Sequence, residues 1–411
     1  MWRVTVYGLC SLALVGCALP RDQFTAAEEA TAMIPGIPDA RYWGDTPQLP
    51  AAAAAFARRP RARFSYLALS GGGGAGAFGA GFLDGWSETG TRPEFTVVSG
   101  VSTGALIAPF AFLGPAYDDT LRAMYTGGYG LSLIDAPDPL GALFGPGVFD
   151  SNRLLELSRR FVTPEVIAAI AAEHRSGRRL LVQTTNLDAQ RPVIWNMGAI
   201  AASGVPGSEE LFRQVLIASA SVPGVFSPTM IAVQSGMKRF REMHVDGSVY
   251  SNVFIVPDRF VGELRVAGET GDIYVIMNGK LEPSFEVVEN LTIRIVARSI
   301  STMIEARSGA LLQSTYDFAK RNQLRFNLTS IPAEVDDSGT TLFDTGQMRK
   351  LYAFGRQRGF ERRFSRSVPA AGGTVRRRGR LPAQAGLIGT DPPQAFREPL
   401  GRALADMSRL Q

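Results

Sequence analysis

Two short stretches of the same design decide most of what this chain can become. Phe64–Leu69 (Phe-Ser-Tyr-Leu-Ala-Leu) is bulky and apolar. It stops abruptly at the glycines Gly71, Gly72, Gly73, Gly74 and Gly76, and gives way to Ala77–Trp86, which can be helical. Phe95–Val98 repeats the plan, ending in Gly100-Val101-Ser102-Thr103-Gly104 before the apolar run Ala105–Leu113. A buried strand, a glycine turn and a helix, met twice in succession, argue for parallel strands covered by helices. Further strands are expected at Arg179–Thr185, Phe240–Val245 and Ile273–Met277, and helices at Asn152–Phe161, Glu209–Ala218 and Asn290–Arg321. The fold class is therefore α/β, with a central, largely parallel sheet.

Composition narrows the chemistry. The chain has 411 residues, 45% hydrophobic and 20% charged, which is globular and excludes a wholly disordered or fibrous chain. No apolar run is long enough for a multi-pass membrane protein. Cys10 and Cys17 are the only cysteines and His174 and His244 the only histidines. A disulfide scaffold, an iron–sulfur cluster and a multi-histidine metal site are thereby excluded, and neither a metal nor a cofactor is called for. The net charge of +5 is a local matter, because residues 356–380 hold nine arginines and one acid. The rest of the chain is net acidic, which argues against a nucleic-acid partner. The stretch 367–411 reads as a basic, Pro/Gly-rich tail, either solvated or in contact with an anionic surface.

The amino terminus has one early charge, Arg3, then a mostly apolar run from Val4 to Val15, then Gly16-Cys17. That order suits a secretory signal better than a membrane span. Leu14-Val15-Gly16-Cys17 resembles the lipobox of bacterial lipoproteins. The resemblance implies a signal peptide over 1–16 and acylation of Cys17, with Cys10 removed. Ala18 after the cysteine implies, by the same analogy, sorting to the outer membrane. Residues 17–61, with Pro35, Pro38, Pro47, Pro50 and the run Ala51–Ala55, read as the lipidated end and a tether to a domain over 62–366.

Three pieces carry chemistry. Gly100-x-Ser102-x-Gly104, between strand and helix, puts a serine on a tight turn with its hydroxyl projecting from the sheet end. The glycine run Gly71–Gly74 lets backbone N–H groups converge beside a helix start, as an oxyanion hole requires. Gly71-x-Gly73-x-x-Gly76 also fits a dinucleotide fingerprint, but Glu94 sits before the next strand and the strand's end is taken by the serine turn. His244-Val245-Asp246-Gly247-Ser248 closes a strand, and an aspartate there can face the sheet edge that carries Ser102. Asp-Gly is equally a common turn.

Together these pieces resemble the patatin-like phospholipases, bacterial lipoprotein members in particular, over about Phe64 to Phe364. Leu67–Gly76 is similar to the family's glycine-rich oxyanion motif, Gly100–Gly104 to its nucleophile elbow, and Asp246-Gly247 to its Asp-Gly motif. Ala218–Phe226 is similar to a segment packed near the site. Ala75 stands where many members carry arginine, and Ser248 where glycine or alanine is common. The resemblance implies a three-layer patatin-like fold, lipid or phospholipid as substrate, and a Ser–Asp dyad of Ser102 as nucleophile and Asp246 as general base and acid. It also implies an oxyanion hole from Gly71, Gly72, Gly73 and Gly74 and an acyl-enzyme intermediate.

The scarcity of histidine presses the same way, since a Ser–His–Asp triad needs one. His174 belongs to an expected exposed helix end. His244 lies two residues before Asp246, on the same side of a strand, so a His244-based triad stays open beside a packing role. Leu106, Ile107, Phe110 and Phe112 either line an acyl pocket or fill a helix core. The reading is a lipid acyl hydrolase; the alternatives are an acyltransferase or thioesterase with the same dyad, or a non-catalytic lipid-binding lipoprotein.

Overall fold

The computed structural model describes residues 21–46, 63–130, 147–149, 151–255, 270–283, 285, 287, 288, 290, 292–337 and 343–368. The described residues all belong to one unit. The expected signal peptide, Cys17 and nearly all of the basic tail lie outside the described residues.

The chain opens with helix α1 (Ala26–Ala30) and the short strand β1 (Arg41–Trp43). Strand β2 (Phe64–Leu69) leads through the glycine loop into α2 (Gly76–Glu88), and β3 (Val97–Val101) through the serine turn into α3 (Thr103–Leu113). Next come α4 (Asp118–Thr126), β4 (Gly147–Phe149), α5 (Ser151–Phe161) and α6 (Pro164–Arg175). The hairpin β5 (Arg179–Asn186) and β6 (Arg191–Asn196) is followed by α7 (Met197–Ala202), α8 (Ser208–Ala220) and β7 (Gly224–Phe226). A second hairpin, β8 (Thr229–Ser235) and β9 (Lys238–Asp246), precedes β10 (Gly271–Met277). Helix α9 (Thr292–Arg321), β11 (Arg325–Ser330) and α10 (Thr345–Phe360) complete the unit.

All six residues of β2 are buried because it lies mid-sheet, paired in parallel with β3 on one side and β10 on the other. The parallel core runs β5-β3-β2-β10-β11, with helices supplying the apolar cover that both faces need. Beyond β5 the sheet becomes antiparallel through β6 and β1, so it is more mixed than the sequence suggested. The reason is that β5 and β6 form a hairpin, which demands antiparallel pairing.

One register sets up everything that follows. Strand β3 ends with Val101 opposite Gln183 of β5, and the next residue of β5, Thr184, pairs with Asp246 of β9. Strands β3 and β9 thus share one edge of β5 end to end, approaching from opposite directions. The residue after Val101 is Ser102, so the serine turn and the aspartate meet at that junction.

Helix α10 is clamped on α2 by four glycines. A Cβ on Gly81 would lie 2.1 Å from the Tyr352 carbonyl oxygen, and one on Gly85 1.9 Å from that of Arg356. Reciprocally, a Cβ on Gly355 or Gly359 would strike the carbonyl of Phe78 or Phe82. The two backbones therefore touch, and any side chain at these positions would push them apart. Since α2 starts at the glycine loop, this contact also braces the loop.

Residues 21–46 correct the tether reading for that part of the chain. Thr25 and Glu28 close a reciprocal capping box on α1, and β1 pairs in register with Val193–Trp195 of β6. Ile34, Ile37 and Ala40 are buried in the core, and Arg41 pairs with buried Glu242. These partners are distant in sequence, which is why composition alone made the segment look like a spacer.

Candidate active site

Ser102 occupies the turn between β3 and α3 with φ 55° and ψ −126°, a backbone conformation rarely adopted by a residue with a side chain. Close packing enforces it. A Cβ on Gly100 would lie 2.3 Å from the Gly104 carbonyl oxygen, and one on Gly104 2.3 Å from that of Leu69. Both glycines of the motif are thus required by backbone contact. The Ser102 N–H donates to Ser219 Oγ (3.0 Å), whose own hydroxyl donates to the Gln183 carbonyl (2.7 Å). The carboxyl end of α8 therefore holds the turn from below.

The same helix end holds the aspartate. Asp246 N–H donates to the Ser221 carbonyl (2.9 Å), and Thr185 Oγ1 to the Asp246 carbonyl (3.0 Å). Gln183 Nε2 donates to the carbonyls of Gly247 and Ser251, fixing the turn after the aspartate. Gly247 has no room for a side chain, because a Cβ would sit 2.4 Å from the Gln183 oxygen. The segment Ala218–Phe226 thus meets both chemically interesting residues, as the sequence resemblance implied.

Asp246 is fully buried. Its Oδ1 accepts from Ser248 N–H (2.8 Å) and Ser248 Oγ (2.6 Å), while Oδ2 has no hydrogen-bond partner among the described residues. Burial pushes its carboxyl up to about 6, against the opposing pull of the Ser102 and Ser248 hydroxyls. The strand register brings Ser102 to this carboxylate, and Oδ2 is the oxygen left without a partner. A buried oxygen left bare costs free energy unless something is meant to reach it.

The glycine loop lies against the serine. A Cβ on Gly71 would lie 3.0 Å from the Ser102 Cβ. Gly71 itself is not a free donor, because its N–H is committed to the Asn252 carbonyl (2.9 Å). That corrects the expectation for Gly71. Gly72, Gly73 and Gly74 stand at the start of a 3₁₀ turn over Gly73–Ala75, where N–H groups lack a carbonyl one turn earlier. Gly73 has φ +55°, and nothing within 4 Å of where its Cβ would be, so the loop is open there.

Sequence reasoning missed Asn278, at the end of β10. It is buried, its Nδ2 donates to the Ser70 carbonyl (2.8 Å), and its Oδ1 accepts from Gly79 N–H (3.1 Å). Its N–H also donates to Ser70 Oγ (2.8 Å), and its carbonyl packs against Gly72. Asn278 thereby ties both ends of the glycine loop. The only sequence signal was an asparagine directly after an apolar strand.

His244 is placed for packing rather than for proton transfer to Ser102. Its Nδ1 meets Thr184 Oγ1 (2.9 Å), its Nε2 meets Glu242 Oε2 (3.0 Å), and its ring packs on Trp195. Burial lowers its pKa, against the opposing pull of Glu242. His174 is half-buried rather than exposed, packed against Gly198 with burial pulling its pKa down to about 4. Ile107, Phe110 and Phe112 are buried in the core, and Leu106 packs on it, so these four residues are helix core.

Residues 67–257 match the family model for patatin-like phospholipases. The stretch 67–257 is a patatin-like phospholipase domain. Its presence supports lipid ester hydrolysis as the chain's activity and lipid as the substrate. A search of curated proteins finds no match. Among solved structures, the chain is similar to VipD from Legionella pneumophila, with 12% identity, TM-score 0.29, and coverage of 73% of this chain and 67% of that one. It is also similar to human GIVD cytosolic phospholipase A2, solved with a methyl gamma-linolenyl fluorophosphonate inhibitor and terbium chloride. There the identity is 12%, the TM-score 0.27, and the coverage 84% of this chain and 67% of that one.

Proposed function

We propose that the protein is a lipid acyl hydrolase working through a Ser102–Asp246 dyad. The observation that carries this reading is the bare, buried Oδ2 of Asp246 beside a serine held on a strained turn. Asp246 takes the Ser102 proton as Oγ attacks the ester carbonyl carbon. The oxyanion so formed is met by N–H groups among Gly72, Gly73 and Gly74, and the loss of one such donor typically costs about 10²–10³ in rate. Collapse breaks the ester bond, the leaving alcohol takes the proton from Asp246, and an acyl-Ser102 intermediate remains. A water molecule then gives its proton to Asp246 as its oxygen attacks the acyl carbon. The fatty acid departs and Ser102 recovers its proton.

Aspartate is an intrinsically weak base, and desolvation is what makes this one stronger. The sequence further supports acylation at Cys17 and attachment to the outer membrane, which would hold the enzyme at its substrate. The test is fatty-acid release from phospholipid and from a soluble ester by wild type, Ser102→Ala and Asp246→Asn. Both variants are expected to lose at least 10³ in turnover. Full turnover by Ser102→Ala would overturn the proposal.

A further inference from the structure

We infer that Ser248 is a positioning residue of this reaction, holding Oδ1 of Asp246 so that the carboxylate stays ionised with Oδ2 left for Ser102. The inference rests on the dyad proposed above. Two donors of one residue converge on a single oxygen: the Ser248 N–H at 2.8 Å and its hydroxyl at 2.6 Å. The second distance is that of a charge-assisted O–H···O⁻ bond. Asp246 thereby also caps the 3₁₀ turn Gly247–Val249, so its side chain is locked by the turn that follows it.

Among the described residues, no nearby charge does this work instead. From β5 the aspartate is faced by Gln183, Thr184 and Thr185, from α8 by Ser219 and Ser221, and from the elbow by Ser102, none of them charged. On β9 itself, His244 is engaged by Thr184 and Glu242, and Glu242 by Arg41 and His244. The hydroxyls of Ser102 and Ser248 and the Ser248 N–H are the groups that favour the ionised carboxylate against burial. Ser102 must give up its proton during the reaction, so Ser248 is the permanent donor.

The experiment is the pH dependence of kcat/KM on a soluble ester for wild type, Ser248→Ala, Ser248→Cys and Ser248→Thr. Ser248→Ala keeps the backbone bond and loses the hydroxyl, so the acid limb is expected to move up by about one pH unit. Ser248→Cys, a weaker donor, is expected to shift the same way by less. Ser248→Thr keeps the hydroxyl and is expected to restore the wild-type limb. The position of a limb does not depend on how much enzyme is folded, so a destabilised variant still reports. An unmoved acid limb in Ser248→Ala and Ser248→Cys would overturn the inference. Full turnover by Asp246→Asn would instead refute the dyad.

Discussion

Replacing the base should make the protein more stable, and the size of the gain follows from the burial of Asp246. Burial raises its carboxyl pKa from 3.8 to about 6. The folded protein therefore binds that proton more tightly than the unfolded chain does. Below about pH 4 both states are protonated and the group costs little. Between about pH 4 and 6 the unfolded chain ionises first, so stability falls as pH rises. Above about pH 6 the full penalty is present, about 3 kcal/mol. Asp246→Asn keeps an acceptor for Ser248 and removes the charge. Urea unfolding at pH 8 should show the variant more stable by up to about 3 kcal/mol, with the difference vanishing near pH 4. Its hydrolytic activity should be lost over the same range. A variant that is no more stable than wild type at pH 8 would refute the idea that this carboxylate is held ionised at a cost.

Other expectations are more local. Asn278→Ala leaves the Ser70 carbonyl without its side-chain donor, so thermal unfolding should show a loss of about 1–3 kcal/mol. Its kcat should fall by about 10²-fold with little change in KM, and an unchanged kcat would show that the glycine loop does not need this tie. Gly104→Ala places a Cβ 2.3 Å from the Leu69 oxygen and should abolish labelling of the serine by a fluorophosphonate. Gly73→Ala meets no neighbour and should cost only about 1–2 kcal/mol for its left-handed backbone, read by urea unfolding. His244→Gln should lower the melting temperature while retaining turnover within about tenfold, since its partners are Thr184 and Glu242. Loss of turnover in a folded His244→Gln would instead favour a triad.

The parts of the fold written locally were legible. Phe64–Leu69 is an uninterrupted apolar run cut by glycine, and the strand occupies those very residues. The serine turn and the Asp-Gly turn announce themselves because backbone contact forbids anything but glycine at Gly100, Gly104 and Gly247. What escaped depends on partners far along the chain. Strand β1 is three residues whose role comes from register against β6. Helix α10 lies within the expected domain over 62–366, but no local signal marks its seat: Gly355 and Gly359 place it on α2, and Arg356 pairs with Glu88. Gly71 looked like a donor because no local rule reveals that Asn252 already takes its N–H. The expected largely parallel sheet is present as β5-β3-β2-β10-β11, with antiparallel strands added where a tight hairpin joins β5 to β6.

The proposed reaction requires Ser102 as its covalent nucleophile. The direct measurement is peptide mass spectrometry of the protein after reaction with a fluorophosphonate. A single adduct on the peptide bearing Ser102 is expected, formed more slowly in Asp246→Asn and absent in Ser102→Ala. An adduct on another residue, or undiminished labelling of Ser102→Ala, would contradict it.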